Sequence, residues 1–411
     1  MKARYIFGAS LPRSGTKLYT YALSVNPKVL IASNPNVELF RFLKMEYSKR
    51  FKIIKKLKNF QTNFMLEDYY GPGEKFNLLK YIFNSNLDIR FSENLKEFQN
   101  KSFIRSKLEI KDLSEDMKKI SGSTYKEIIK NQIKIIKKRN KHKQKWIGFS
   151  ESWAIEFFPA IARSFPNAKF LVNLRDPRAT IYANQNITKK TRRAQILSYS
   201  RHFRKQVALI SYYLKSKLLK NKIHVFCYES LVFNPKDTIK RICDFLGTKF
   251  DNRSIEFKNF YNYDTKKRWR GDSHTKIKIS NFDEERTYFW KKKIDDDTLK
   301  YIEFLCYHEL KACGYKLFFD LDKLLIKNKK KIKKVFKSDL KKKASWRSDS
   351  GNIDKEIKFE FLRHSQNKII KKRNIQKYFL TQEFYKMKLK HSKMETWNRL
   401  LDYNKALNFI Q

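Results

Sequence analysis

Short apolar runs alternate with stretches of helical periodicity along most of the chain. The first run, Tyr5 to Phe7, reads as a buried strand, and Leu18, Tyr21 and Ala22 then fall at i, i+3 and i+4 and start a helix. Further runs at Val29 to Ala32 and Trp146 to Phe149 predict two more strands. A helix is expected from Trp153 to Phe165, stopped by Pro166-Asn167, before a strand from Ala168 to Leu174. Pro177 suits the first turn of the helix after it. Ile223 to Cys227 reads as a strand, and the helix from Lys236 to Leu246 ends at Gly247, a fitting C-cap. Two more helices are expected, near Glu284 to Lys292 and from Asp297 to Cys313, the latter closed by Gly314-Tyr315. Strands separated by helices imply an α/β fold around a parallel sheet.

Two regions depart from that rhythm. Residues 41–145 are helical and Lys-rich, broken by Gly71-Pro72-Gly73, with Ser123 and Glu127 placed as a helix start. Residues 321–411 carry 26 Lys or Arg against 9 Asp or Glu, with a basic run from Lys329 to Lys334. Helical spacing returns near the end at Trp397, Leu400, Leu401, Tyr403 and Leu407. Packing on the core, dimerisation, contact with an anionic membrane surface and partial disorder are all open for this tail.

The formal charge of +51 changes the picture. Either the chain meets an anionic partner, or it reflects a chain-wide preference for Lys, Asn, Ile and Phe with most lysines on solvated faces. No run reaches the roughly 18 apolar residues of a membrane helix. The first strand begins almost at once, without an apolar leader, so a domain starting at the N-terminus and a cytoplasmic location are expected. Cys227, Cys243, Cys306 and Cys313 form no C-x-x-C pair and no zinc spacing, so buried thiols and no metal are expected.

Candidate chemistry concentrates after the first strand. Small residues, Pro12, Arg13 and Gly15 lead into a helix, and a strand, tight loop and helix N-terminus form a ready anion site. The loop is not a Walker A motif, because Gly15 is followed by Thr16 and only then Lys17. Pro12-Arg13-Ser14-Gly15-Thr16 instead resembles the 5′-phosphosulfate loop of sulfotransferases, enzymes that use 3′-phosphoadenosine 5′-phosphosulfate (PAPS). Its form is most similar to the carbohydrate and tyrosylprotein branches. Arg175-Asp176-Pro177-Arg178, at a strand end, resembles the family's 3′-phosphate motif. Tyr228-Glu229-Ser230-Leu231 with Asn234-Pro235 resembles the segment beside the adenine. Arg270-Gly271 matches a cationic loop that folds over the nucleotide. These four ordered matches span residues 4–318, and on them the chain is identified as a member of the sulfotransferase family.

The resemblance implies a P-loop-like parallel sheet flanked by helices over residues 1–320. It also implies that 41–145 are a helical insertion serving as an acceptor-binding or lid region. The resemblance stops after Tyr315, and the composition of 321–411 predicts a basic, mostly helical extension. PAPS is the implied co-substrate, without a metal. Ser14, Gly15, Thr16 and Lys17 would hold the 5′-phosphate, Arg13 the bridging oxygen, Arg175 the 3′-phosphate and Tyr228 the base. Where the family has a Ser, this chain has Ala183, so Asn184 or Thr180 would supply that hydrogen bond. The acceptor hydroxyl needs a general base. Glu38, after the second strand, is the first candidate, and Glu151, in Ser150-Glu151-Ser152, the second. Where the tyrosylprotein branch has its base, this chain shows Ser33-Asn34, which argues against a tyrosine acceptor. A surface or secreted carbohydrate, a lipid-linked glycan and a small alcohol all fit, and the form of the loop puts carbohydrate first. Two rivals stand beside this reading. One is a P-loop kinase or NTPase. The other, ranked third for the domain, is a non-enzymatic, charge-driven binder of nucleic acid or a membrane surface, and nucleic acid is not expected as a partner.

Overall fold

The computed structural model describes residues 4–50, 82–138, 140, 143–152, 154–187, 195–261, 267–269, 271, 281–341, 353–364 and 404–405. They form two compact units.

The first unit holds a five-stranded sheet. Its strands are β1 (Arg4–Ser10), β2 (Val29–Ser33), β3 (Trp146–Ser150), β4 (Lys169–Leu174) and β5 (Ile223–Cys227). Their order is β2-β3-β1-β4-β5, and every pair is parallel. The strands read as unbroken apolar runs because a parallel sheet is covered on both faces; all five residues of β2 and of β3 are buried. Phe7 in β1 anchors the core, with ring centroids 5.4 Å from Phe149 and 5.8 Å from Phe165. The link from β1 runs to one side of the sheet, towards β2, whereas β4, on the other flank of β1, leads outward to β5. Ligands of open α/β sheets lie outside the carboxyl ends of strands at such a reversal.

Helices α1 (Thr16–Ser24), α2 (Val37–Arg50), α3 (Leu95–Glu109) and α4 (Tyr125–Lys137) also belong to this unit. Helix α2 starts before the expected insertion and runs through position 41. It is anchored by a fully buried ion pair, Lys44 Nζ to Glu156 Oε2 at 2.7 Å. At the start of α4, Thr124 is the N-cap, its hydroxyl accepting from the Glu127 amide, while Ser123 donates to the Glu127 carboxylate. The cap therefore lies one residue after the expected Ser123, whose amide and hydroxyl both donate to the Glu127 carboxylate, a variant of the capping box. The Gly71-Pro72-Gly73 break lies outside the described residues.

The helix expected over 153–165 is divided. A 3-10 turn, Ala154–Phe157, precedes α5 (Phe158–Ser164), which has Pro159 in its first turn. Proline has no N–H to donate back into a preceding turn, so the α-helix begins there.

The second unit comprises residues 175–212 and those from 284 onward. It contains α6 (Pro177–Ile187) and most of α7 (Ile196–Lys215). The first unit's α8 (Tyr228–Phe233) and α9 (Pro235–Leu246) come next in the chain. They are followed in the second unit by α10 (Asp296–Ala312), α11 (Lys329–Lys341) and α12 (Ile353–His364). The expected division at residue 320 does not coincide with this unit. The Asp339 carboxylate of α11 accepts from the amides of Ile196 and Leu197 at 2.8 and 2.9 Å, capping α7. On α7, Arg201 reaches Glu356 at 2.5 Å and Arg204 reaches Glu360 at 2.7 Å, all four side chains buried. The extension thus neutralises charges that α7 buries. The pattern seen at Trp397 to Leu407 lies outside the described residues except for 404–405. There Asn404 bonds Lys316 N–H and Gly314 O.

Candidate functional site

The loop after β1 is shaped by two left-handed residues, Arg13 at φ 70° and Gly15 at φ 79°. Glycine takes that conformation freely, whereas an arginine there costs roughly 1–2 kcal/mol. Strain of this kind persists where surroundings over-determine it, which points to function. The Ser14 amide closes on Leu11 O at 3.1 Å, and the Ser10 and Thr16 hydroxyls bond each other across the loop. Gly15 is the N-cap of α1 and brings no side-chain acceptor. Its carbonyl takes the Leu18 amide at 3.0 Å. The first amides of α1 have no acceptor within the helix itself, and the positive end of the helix dipole lies at them.

Three neighbours hold this loop. Asn173, the second-last residue of β4, donates through Nδ2 to Ser14 O. The ring of Tyr228 fills the place of a Cβ on Gly15, so no larger residue fits there. The Lys17 ammonium pairs with Glu109 at 3.0 Å. Arg13, Ser14, Gly15, Thr16, Lys17 and Tyr228 are therefore brought together at the carboxyl ends of β1 and β5.

Both candidate bases lie at the neighbouring strand ends. Glu38, in the first turn of α2, is ion-paired with Arg41. Glu151 follows β3, its amide bonded to Gly8 O at 3.0 Å. Its Oε1 accepts the Asn36 amide at 2.5 Å. Its Oε2 is buried with no hydrogen-bond partner among the described residues. Complete burial pushes the Glu151 carboxyl up to about 8, against the pull of the Asn36 amide and of Arg105. Ser14 Oγ is likewise buried without a hydrogen-bond partner among the described residues. Orphaned polar atoms beside an anion loop suit a phosphorylated ligand and a hydroxyl.

The second unit contains Arg175 and Asn184. Arg175 is one residue past β4 and donates to Arg286 O at 3.2 Å. Asp176, adjacent in sequence, pairs with Arg178 at 2.7 Å. That buried guanidinium also meets Glu303 at 2.6 Å and lies over the Trp290 ring at 4.6 Å. Asp176 and Arg178 are thus structural, and Arg175 is the motif cation outside their pair. Asn184 accepts from Tyr199 Oη and donates to Thr180 O, both at 2.8 Å, and the Thr180 hydroxyl donates to Asp176 O at 2.7 Å. Gly271 has φ 126°, and Arg270 lies outside the described residues.

Sequence reasoning missed Asn173 and Glu109. Asn173 had a visible signal, as a lone polar residue inside an apolar strand. Glu109 had none, being one carboxylate in a Lys-rich helix.

A family model described as the sulfotransferase family matches residues 5–252. Among solved structures, the sulfotransferase domain from the curacin biosynthetic pathway is 16% identical. That match covers 77% of this chain and 99% of the other, with a TM-score of 0.43. The sulfotransferase domain of the Synechococcus PCC 7002 olefin synthase is 15% identical over 77% of this chain and 97% of its own, with a TM-score of 0.44. Retinol dehydratase, in a complex with retinol and PAP, is 15% identical over 78% and 85%, with a TM-score of 0.35.

Proposed function

The chain belongs to the sulfotransferase family, and we propose that it moves the sulfuryl group of PAPS to a hydroxyl of a carbohydrate or glycan. The observation that supports this reading best is the strained Arg13 in an anion loop, one strand away from the buried carboxyl of Glu151. The amides of Ser14 to Lys17 are assigned to the 5′-phosphate, although the Ser14 amide first has to leave Leu11 O. Tyr228 is assigned to the base, Arg175 to the 3′-phosphate, and Arg270 with Gly271 to the nucleotide's outer side. Asn184 is assigned to the 3′-phosphate side in place of the family Ser.

Bound there, the nucleotide supplies a sulfuryl group for in-line displacement, with charge spread over its oxygens as in phosphoryl transfer. Arg13 then neutralises charge that develops on the leaving oxygen. Of the two carboxylates, Glu151 suits the base better. Glu38 is held by Arg41, whereas Glu151 has an oxygen without a hydrogen-bond partner and a proton affinity near the working pH.

Carbohydrate is favoured by the Pro-Arg-Ser-Gly-Thr form of the loop and by Ser33-Asn34 where a tyrosine-directed base would stand. Isothermal titration with 3′,5′-adenosine bisphosphate, followed by PAPS turnover on glycans, tyrosine peptides and simple alcohols, tests the reading. Binding with glycan turnover is the expected result. Absence of nucleotide binding refutes the activity, and turnover of tyrosine peptides alone refutes the acceptor.

A second reading concerns location. Among the described residues no helix is long and apolar enough to cross a membrane. Helix α11 buries Ile332 and Phe336 and exposes Lys329, Lys330, Lys333, Lys334 and Lys337 on its other face. That face supports peripheral contact of a cytoplasmic enzyme with anionic lipid. Co-sedimentation with phosphatidylserine vesicles at low and high salt checks it.

A further inference from the structure

Helix α3 ends at Glu109, whose Oε2 lies 3.0 Å from the Lys17 ammonium, with side chains 7% and 17% exposed. One turn earlier Arg105 shares that face of the helix. Both residues also act on Glu151: Arg105 draws its proton affinity down and Glu109 raises it. The end of α3 therefore reaches the anion loop and the carboxyl after β3 together.

For an anion-binding loop, a carboxylate at this place has the wrong sign. It uses the charge of Lys17, and it repels any phosphate at the head of α1. A carboxylate near a helix N-terminus does favour the helix itself, so its presence has a structural benefit as well. The two roles predict opposite effects on ligand affinity.

Resting on the sulfotransferase reading, we propose that Glu109 is a positioning residue that competes with the nucleotide's phosphate for Lys17. Nucleotide entry transfers Lys17 from Glu109 to phosphate and releases the end of α3. Because α3 lies within the stretch assigned to the acceptor, the acceptor side is set only after the nucleotide is bound.

The test is titration of the full chain with 3′,5′-adenosine bisphosphate in wild type, Glu109→Gln, Lys17→Ala and the double variant. Glu109→Gln should tighten binding roughly tenfold, the effect of removing one partly buried like charge. Lys17→Ala should weaken it, and in that background Glu109→Gln should change little. Weaker or unchanged binding in Glu109→Gln overturns the proposal, as does equal tightening with and without Lys17. Matching melting temperatures exclude misfolding, and Glu109→Ala replaces any Glu109→Gln protein that melts early. Wild type that binds no nucleotide refutes the activity instead. The same four proteins titrated with inorganic pyrophosphate then decide whether Glu109 competes with phosphate for Lys17.

Discussion

The Tyr228 ring, through Cδ2 and Cε2, occupies the space into which a side chain on Gly15 would project. The pairing joins the loop after β1 to the residue after β5, and it leaves glycine two reasons to be there. One is the close approach of the ring, and the other is the left-handed backbone at φ 79°.

Gly15→Ala should therefore damage the loop twice. Nucleotide affinity is expected to fall by roughly tenfold or more, since about 1.4 kcal/mol suffices for that. Gly15→Ala with Tyr228→Ala restores space but not the backbone. It should recover part of the melting temperature and none of the affinity. Calorimetric titration beside thermal melting checks both.

Arg13 allows strain and chemistry to be separated. Arg13→Ala should cut kcat by on the order of 10²–10³. Arg13→Gly should lose the same activity yet melt above Arg13→Ala, because glycine relieves about 1 kcal/mol at a left-handed position. Equal melting of the two variants would mean that the loop relaxes when the arginine is gone.

Glu151 predicts two pH effects of defined sign. As a base it must be deprotonated, so kcat/KM should rise with pH and level off above about 8. Glu151→Gln should remove that limb along with most of the turnover, whereas Glu38→Gln should keep it. Stability moves the other way. The folded carboxyl holds its proton through a range where the unfolded one has lost it, so its contribution is full below about 4.5 and is lost as pH rises towards about 8. Glu151→Gln should thus melt higher relative to wild type at pH 8 than at pH 4. A constant difference across that range would contradict the raised affinity.

Arg175→Ala should weaken 3′,5′-adenosine bisphosphate far more than adenosine 5′-phosphosulfate, which has no 3′-phosphate. Ala183→Ser should tighten the bisphosphate. Equal losses for both ligands would make Arg175 a structural residue, held by its bond to Arg286 O.

Removing residues 321–411 should destabilise the second unit. It deletes Asp339, Glu356 and Glu360, and it leaves Arg201 and Arg204 buried opposite missing carboxylates. Breaking a buried pair by removing one partner costs about 3–5 kcal/mol. Loss of cooperative melting in the 1–320 chain is the expected result. Arg201→Met with Arg204→Met should restore part of it.

Local chemistry by itself determined the sheet and the loop. A fully buried parallel strand has to be an apolar run, and a loop with Arg13 and Gly15 before a helix has few other forms. For that reason β5 and the Gly247 cap stood where the pattern put them. The four family motifs could be read because each is contiguous. Partnership across the chain could not be read in this way, because in so basic a sequence every carboxylate has many lysines and arginines to choose from. Only the tertiary structure paired Arg178 with Glu303, Lys17 with Glu109, and Glu356 and Glu360 with the arginines of α7. The same is true of Glu151. Its residue type made it a candidate, but burial, which depends on everything packed around it, raised its proton affinity to the range a base requires.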